Sequence, residues 1–244
     1  MLEIADLTVS YPARPAPVLS RLALSVAAGE RVAVVGPSGC GKTTLFRAIS
    51  GFVPIQAGRI LVDGVDVAAA RGRNLRALRR QIAVIAQKHD LIDRLVVYQN
   101  VMAGALGRWS GLRALRFFIR PRRSELDEAR AALERVGISP ELRRRTADLS
   151  GGQQQRVAIA RALVQKPLLL LADEPVASLD QELSRQILTL LCGLAAAQNM
   201  ALLCSLHQPD LAHEHFDRVI DLRRGEVAFM RAAGASGRDL AAAL

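Results

Sequence analysis

Cysteine is scarce: Cys40, Cys192 and Cys204 are the only three in 244 residues, an odd number with no close pair. That excludes a disulfide framework and a cysteine-based metal site, and it suits a reducing compartment. Lysine is as rare. Lys42, Lys88 and Lys166 are all there are, and the other 30 of 33 cations are arginine. The opening Met1-Leu2-Glu3-Ile4 has neither the basic nor the apolar part of a secretory leader, so a soluble, cytoplasmic chain is expected. No apolar run is long enough to cross a membrane. The nearest, Ile187 to Leu206, is interrupted by Gln198 and Asn199 and reads as a helix, a turn and a buried strand. Internal repeats and low-complexity linkers are also missing.

What is present is a globular composition, half apolar and long enough for a single α/β domain with a sizeable core. The formal charge is +10. The arginine bias reads first as a compositional habit, but nucleic acid and anionic lipid headgroups both stay open as partners.

Leu2 to Val9 and Leu22-Leu24-Val26 alternate as strands do, with a proline-rich loop from Tyr11 to Pro17 between them. Arg31 to Val35 is a compact apolar strand leading into a glycine-rich turn, and helical spacing resumes at Thr44 to Ser50. Arg59 to Val67 gives two short strands around Asp63-Gly64, a hairpin signal. Leu75 to Arg80 reads as helix and Ile82 to Ala86 as a buried strand. The stretch from about Leu91 to Leu149 is rich in Leu, Ala and Arg and poor in β-branched residues, so a helical subdomain inserted into an α/β core is expected. Strands at Leu168 to Ala172 and Met200 to Ser205 follow, separated by a helix from Gln181 to Leu194.

Three stretches carry chemistry. Gly36-Pro37-Ser38-Gly39-Cys40-Gly41-Lys42-Thr43 matches G-x-x-x-x-G-K-[ST] between a strand and a helix. Its glycines let backbone N–H groups wrap phosphates, and the helix turns its positive end toward them. Lys42 would reach the β- and γ-phosphates and the Thr43 hydroxyl would hold Mg²⁺. A chance match in a chain of this size is on the order of one in a hundred. Next, the apolar strand before Asp173-Glu174 ends in two carboxylates. Asp173 is placed to hold the metal through water, and Glu174 to polarise an attacking water as general base. Last, Leu149-Ser150-Gly151-Gly152-Gln153 opens a helical run and forms a second anion-binding terminus. One ATP has no need of two such termini from one chain, whereas two chains facing head to tail do.

The last stretch, flanked by the other two, resembles the signature of the ATP-binding cassette proteins, and the likeness covers nearly the whole chain. It implies a P-loop NTPase (ABC ATPase) core of α/β class, with an antiparallel β subdomain and an inserted helical subdomain. The expected layout is one domain over 1–244: core and β subdomain in 1–90 and 160–230, helical signature subdomain in 91–159, and a tail in 231–244. By the same resemblance, Gln87 is a glutamine that contacts Mg²⁺ and relays to a membrane partner. Ser178-Leu179-Asp180 is the loop by which one monomer senses the other's site, and His207 a histidine on the γ-phosphate. Tyr11 stands where an aromatic stacks on adenine, and Thr44 and the signature residues Ser150 to Gln153 join the nucleotide contacts. The cofactors implied are ATP and Mg²⁺.

The implied assembly is a homodimer of ATPase subunits, two transmembrane permease subunits and a periplasmic or extracellular solute-binding protein. Its place is peripheral, on the cytoplasmic face of the inner membrane, with no direct nucleic-acid contact. Gly72 to Ile82, Leu91 to Leu95, Asn100 to Arg108 and Ser205 to Asp210 narrow the resemblance to ATP-binding subunits of phosphonate importers, including relatives that import phosphite. Departures are Cys40, where many relatives have Ala or Ser, and Pro209, where Val is expected. Other solute transporters, or a non-transport cassette of a carbon–phosphorus lyase complex, are the alternatives. DNA-repair and chromosome-organising ATPases separate phosphate loop and signature by long coiled coils. Thr43 to Leu149 spans only 106 positions without sustained heptads.

His213 and His215 are two apart on a helix and do not face each other, so a solvated helix end is preferred to a metal pair. His89 is read as a loop residue. Arg94 to Arg123 contains no acidic residue, and Arg113, Arg116, Arg120, Arg122 and Arg123 interleave with Trp109, Phe117 and Phe118. A surface near anionic headgroups is preferred there to a nucleic-acid face, with a solvated helix third. Cys40, at a helix N-terminus, is expected to favour its thiolate, so that alkylation blocks ATP binding.

Overall fold

The structure, a computed structural model, describes residues 1–12, 16–87, 90–223 and 225–232. His89, most of the expected tail and the middle of the loop after Tyr11 lie outside the described residues. The chain begins with β1 (Leu2–Val9), β2 (Leu19–Val26) and β3 (Arg31–Val35), then α1 (Lys42–Ile49), β4 (Ala57–Val62), β5 (Val65–Asp66), α2 (Gly72–Gln81) and β6 (Ile82–Ile85). Helices α3 (Val97–Met102), α4 (Gly111–Ile119), α5 (Arg123–Arg135) and α6 (Gly151–Gln165) follow. Then come β7 (Leu169–Asp173), α7 (Gln181–Ala197), β8 (Ala201–Leu206), α8 (Pro209–His215), β9 (Arg218–Arg223) and β10 (Glu226–Ala232).

The strands form two sheets. One is antiparallel, in the order β2-β1-β4-β5; the other has six strands, β10-β9-β3-β8-β7-β6, all parallel except β10. All six residues of β8 are buried, as a parallel strand covered on both faces requires. Alternation divides the large sheet between two cores. Ala33, Leu170, Ala172, Leu202 and Cys204 join the apolar cluster that holds the helices after β6. Val32, Val34, Leu169, Leu171 and Leu203 join the one that holds α1 and the antiparallel sheet. The Asp63-Gly64 hairpin is present, with both residues at positive φ (50° and 76°), as a two-residue turn of matching twist demands. The interrupted run 187–206 is helix α7, a turn and β8. Among the described residues no helix is long and apolar enough to cross a membrane.

Two consequences of this order position the site. Parallel pairing of Val35 with Leu206 and of Asp173 with Ser205 brings the carboxyl ends of β3, β7 and β8 to one edge, so Gly36, Glu174 and His207 emerge together. Helix α6 touches α3 and α5 and also β6 and α7, which makes it the joint between helical layer and sheet.

Helix α4 is fixed to the start of α5 through a buried carboxylate. Glu125 accepts from Arg116, from Arg113 (3.3 Å) and from the Arg122 amide (2.9 Å). Burial alone pushes this carboxyl up; the hydrogen bonds outweigh it and hold Glu125 below the usual glutamate range. A depressed value contributes stability that is complete above the ordinary glutamate pKa and lost as pH falls through the folded one. Glu125→Gln is therefore expected to cost about 1–3 kcal/mol at neutral pH. Thermal melts of both chains should show the gap narrowing in acid.

Candidate functional site

The loop from Gly36 to Gly41 is shaped by what its neighbours leave free. A Cβ at Gly36 would lie 2.2 Å from the Leu222 carbonyl oxygen, so β9 forbids a side chain there. Gly41 caps α1 at φ 114°, a conformation glycine adopts without strain. No side chain caps α1 and its first turn holds no acid, so the first amides face the loop without an internal partner. That is an anion-binding terminus.

Lys42 is 4% exposed, with Nζ donating to the carbonyls of Gly36 (2.8 Å) and Pro37 (3.3 Å) and 3.6 Å from Glu174 Oε1. A buried ammonium needs a counter-charge, and Glu174 supplies one. His207 Nε2 lies 2.6 Å from the same oxygen. Glu174 sits at φ 50°, strained for a residue with a side chain. The strain is held by Ser205. Its hydroxyl accepts from the Glu174 amide (2.9 Å) and donates to Asp173 Oδ1 (2.7 Å). One buried serine therefore holds the Asp173 carboxylate directly and the Glu174 backbone through its amide.

A cavity of about 390 Å³ opens beside these groups, lined by Tyr11, Gly39, Gly41, Lys42, Thr43, Thr44 and Glu174. Val18 and Arg47 also line it, and Ser205 stands behind it; none of the three had been singled out as a site residue. Arg47 had a signal, standing one turn beyond Thr43 on α1. Ser205 had only its place at the end of an apolar strand.

Pro37 and Ser38 are exposed members of the same loop. Cys40 is not. It is 6% exposed and belongs to the apolar cluster with Val34 and Leu45. The expected alkylation is thus corrected: only the Cys40 backbone belongs to the loop, and its thiol faces the core, out of a reagent's reach. His213 and His215 belong to no metal-holding group among the described residues.

The signature residues stand elsewhere. Ser150 Oγ accepts from the Gln153 amide (3.3 Å), and the Gln153 side chain accepts from the Ser150 amide (3.0 Å), a reciprocal cap on α6. A Cβ on Gly152 would meet Leu183 at 2.7 Å, so this glycine lets α6 approach α7. Gly151 is exposed, with open space around it. Ser150, Gly151, Gly152 and Gln153 do not line the cavity, nor do Gln87 or Asp180. Gln87 is exposed just beyond β6, and Asp180 Oδ1 accepts from the Leu183 amide (2.9 Å), capping α7.

A family described as ABC transporter matches residues 19–177. The chain belongs to that family. The Phosphonates import ATP-binding protein PhnC of Frankia casuarinae is 49% identical over 216 residues, 88% of this chain and 85% of the relative. That of Hyphomonas neptunium is 48% identical over 213 residues, 86% of this chain and 79% of the relative. Among solved structures, the dimeric bacterial ABC transporter cassette MJ0796 superposes with a TM-score of 0.84 at 27% identity, covering 97% of this chain and all of the other. A post-hydrolysis dimer of that cassette, bound to ADP and Pi, gives 0.80 at the same identity, with 97% of this chain and all of the other covered. This ABC transporter subunit is an ATP-binding, ATP-hydrolysing cassette whose phosphate loop and Glu174 line one cavity, with Asp173 and His207 outside its lining.

Proposed function

We propose that this cassette powers import of a phosphonate or related phosphorus oxyanion, working as a pair of copies beneath two membrane permease subunits. A periplasmic or extracellular binding protein would deliver the solute, and the cassette would sit on the cytoplasmic face. The names of the relatives support the cargo. The observation that carries the mechanism is the separation of two anion-binding termini. The cavity holds the loop's terminus, while Ser150 and Gly151 stand outside it with no lining role. A second copy placed head to tail supplies its signature to the first copy's ATP, and the reverse.

The donor set fits Mg²⁺: the Thr43 hydroxyl and the Asp173 carboxylate are hard oxygens, and Ser205 fixes one Asp173 oxygen while leaving the other free. Gln87 is the third candidate ligand. Bound there, the metal would neutralise charge on the transferring phosphoryl group. The chain's own part is positioning. Lys42 turns from Glu174 to the β- and γ-phosphates as ATP enters, and Tyr11 covers the base. Glu174, released from Lys42, draws a proton from the attacking water. His207, already on Glu174, would meet the γ-phosphate, and Asp180 would sense the partner copy's site across the dimer face.

Ser205→Ala removes the hydrogen bond to the Asp173 carboxylate and the one that holds the Glu174 amide. It is expected to lower kcat by about tenfold to a hundredfold, from 1–3 kcal/mol of lost preorganisation, and to raise the Mg²⁺ concentration needed. Ser205→Thr, which keeps the hydroxyl, should restore both, as steady-state assays across a Mg²⁺ series would read. The cargo is tested by growth on single phosphorus sources after deletion of the chain. A loss confined to phosphonate or phosphite supports the reading, and unaffected growth on both overturns it.

A further inference from the structure

Helix α4 wears its faces in reverse. Its inner face carries Arg113 and Arg116, both on the buried Glu125, together with the fully buried Phe117. Its outer face carries Leu112, Leu115 and Ile119, which are 84%, 62% and 77% exposed. Spaced i, i+3 and i+7, these three form one stripe along the helix. A surface helix ordinarily turns such a stripe to the core. Here the core side is charged and the apolar side is open.

The stripe is held rigidly. The Glu125 pairs fix one turn, Phe117 packs against Trp109 (centroids 5.1 Å apart), and Arg113 stacks over the same indole at 4.7 Å. At its C-terminal end stand Arg120, Arg122 and Arg123, all exposed and in no ion pair among the described residues. No acidic residue occurs from Arg94 to Arg123. An apolar stripe with an edge of one sign is the composition of a helix that lies in a membrane interface. Anionic headgroups offer the matching charge across the whole plane and demand no matching shape, which a protein partner would.

We propose that α4 is a lipid-contacting element, laying Leu112, Leu115 and Ile119 at the headgroup–acyl boundary of an anionic bilayer while Arg120, Arg122 and Arg123 engage the headgroups. The contact is independent of the ATP site and of the cargo, and a rigid helix enters it without the cost of folding. Anionic lipid attracts each arginine by about fivefold, so the three together contribute on the order of a hundredfold in affinity.

The test is flotation of the purified full chain with vesicles free of membrane protein. One set is phosphatidylcholine alone and the other is phosphatidylcholine with phosphatidylglycerol. The wild type is expected to float with the anionic set. A triple Leu112→Ser, Leu115→Ser, Ile119→Ser variant and a triple Arg120→Gln, Arg122→Gln, Arg123→Gln variant should each lose binding by at least tenfold. Both keep the ATPase rate in solution, since neither touches the cavity, and that rate also shows that they are folded. Binding to neither vesicle set, or equal binding to both, overturns the proposal. So does flotation only when permease is reconstituted, which would give the face to a membrane subunit. Loss of self-association in the leucine variant, measured by light scattering without lipid, would give it to a second copy and also overturn it.

Discussion

Glu174→Gln is expected to hydrolyse ATP at least a hundredfold more slowly than the wild type while binding it as tightly or more tightly. The loss follows from the general-base role proposed for Glu174, a role typically contributing a factor of 10² to 10⁴. The gain in binding follows from charge. Glu174 Oε1 lies 3.6 Å from Lys42 Nζ and 2.6 Å from His207 Nε2, so its carboxylate competes with the γ-phosphate for both partners. A neutral amide of the same shape gives up that competition and removes a like charge beside the phosphates. With ATP held and chemistry stalled, the closed pair should accumulate. Gel filtration in ATP would show the variant shifting to the dimer position, with the wild type returning to monomer as nucleotide is spent. If the variant turns over like the wild type, Glu174 is not the base. If it turns over slowly but never dimerises, the head-to-tail arrangement fails instead.

That result would rest on residues already legible in the sequence, and the reason is local. The phosphate loop is contiguous, and its glycines answer to backbone requirements that any strand–loop–helix junction imposes. Asp63-Gly64 announced its hairpin the same way, and the run 201–206, apolar but for Ser205, reads as a strand covered on both faces. What stayed hidden depends on register between distant segments. Ser205 meets Asp173 across 32 residues of sequence because β7 and β8 pair as they do. Ser205 is the one hydroxyl in the run Leu202 to Leu206, but nothing there says which distant group it meets. Cys40 misled for a related reason. Its position at a helix N-terminus was right, but the direction of its side chain was set by the cluster beneath the loop. In α4 the sequence showed arginines interleaved with aromatics, yet only the burial of Glu125 and Phe117 shows which face turns inward and leaves Leu112, Leu115 and Ile119 outside. Local chemistry is written in short motifs; orientation is written in packing.

The separation of phosphate loop and signature leads to the sharpest expected result, obtained by mixing two dead chains. Lys42→Ala removes the ammonium from the cavity. Gly151→Asp places a carboxylate on the exposed first turn of α6, where a Cβ meets nothing and φ is not positive, so the fold is undisturbed. At a partner's γ-phosphate that carboxylate repels. Each variant alone should fall to background, because every site in its homodimer lacks one half. In a mixed dimer both lesions fall on the same site. The other site then joins the intact Lys42 of one chain to the intact Gly151 of its partner. With equal amounts and random pairing, half the dimers are mixed and each keeps one of two sites, so ATPase activity should recover to about a quarter of wild type. Recovery in that range requires the ATP site to be built across two chains. If one chain completed its own site, mixing would restore nothing beyond the sum of two inactive proteins.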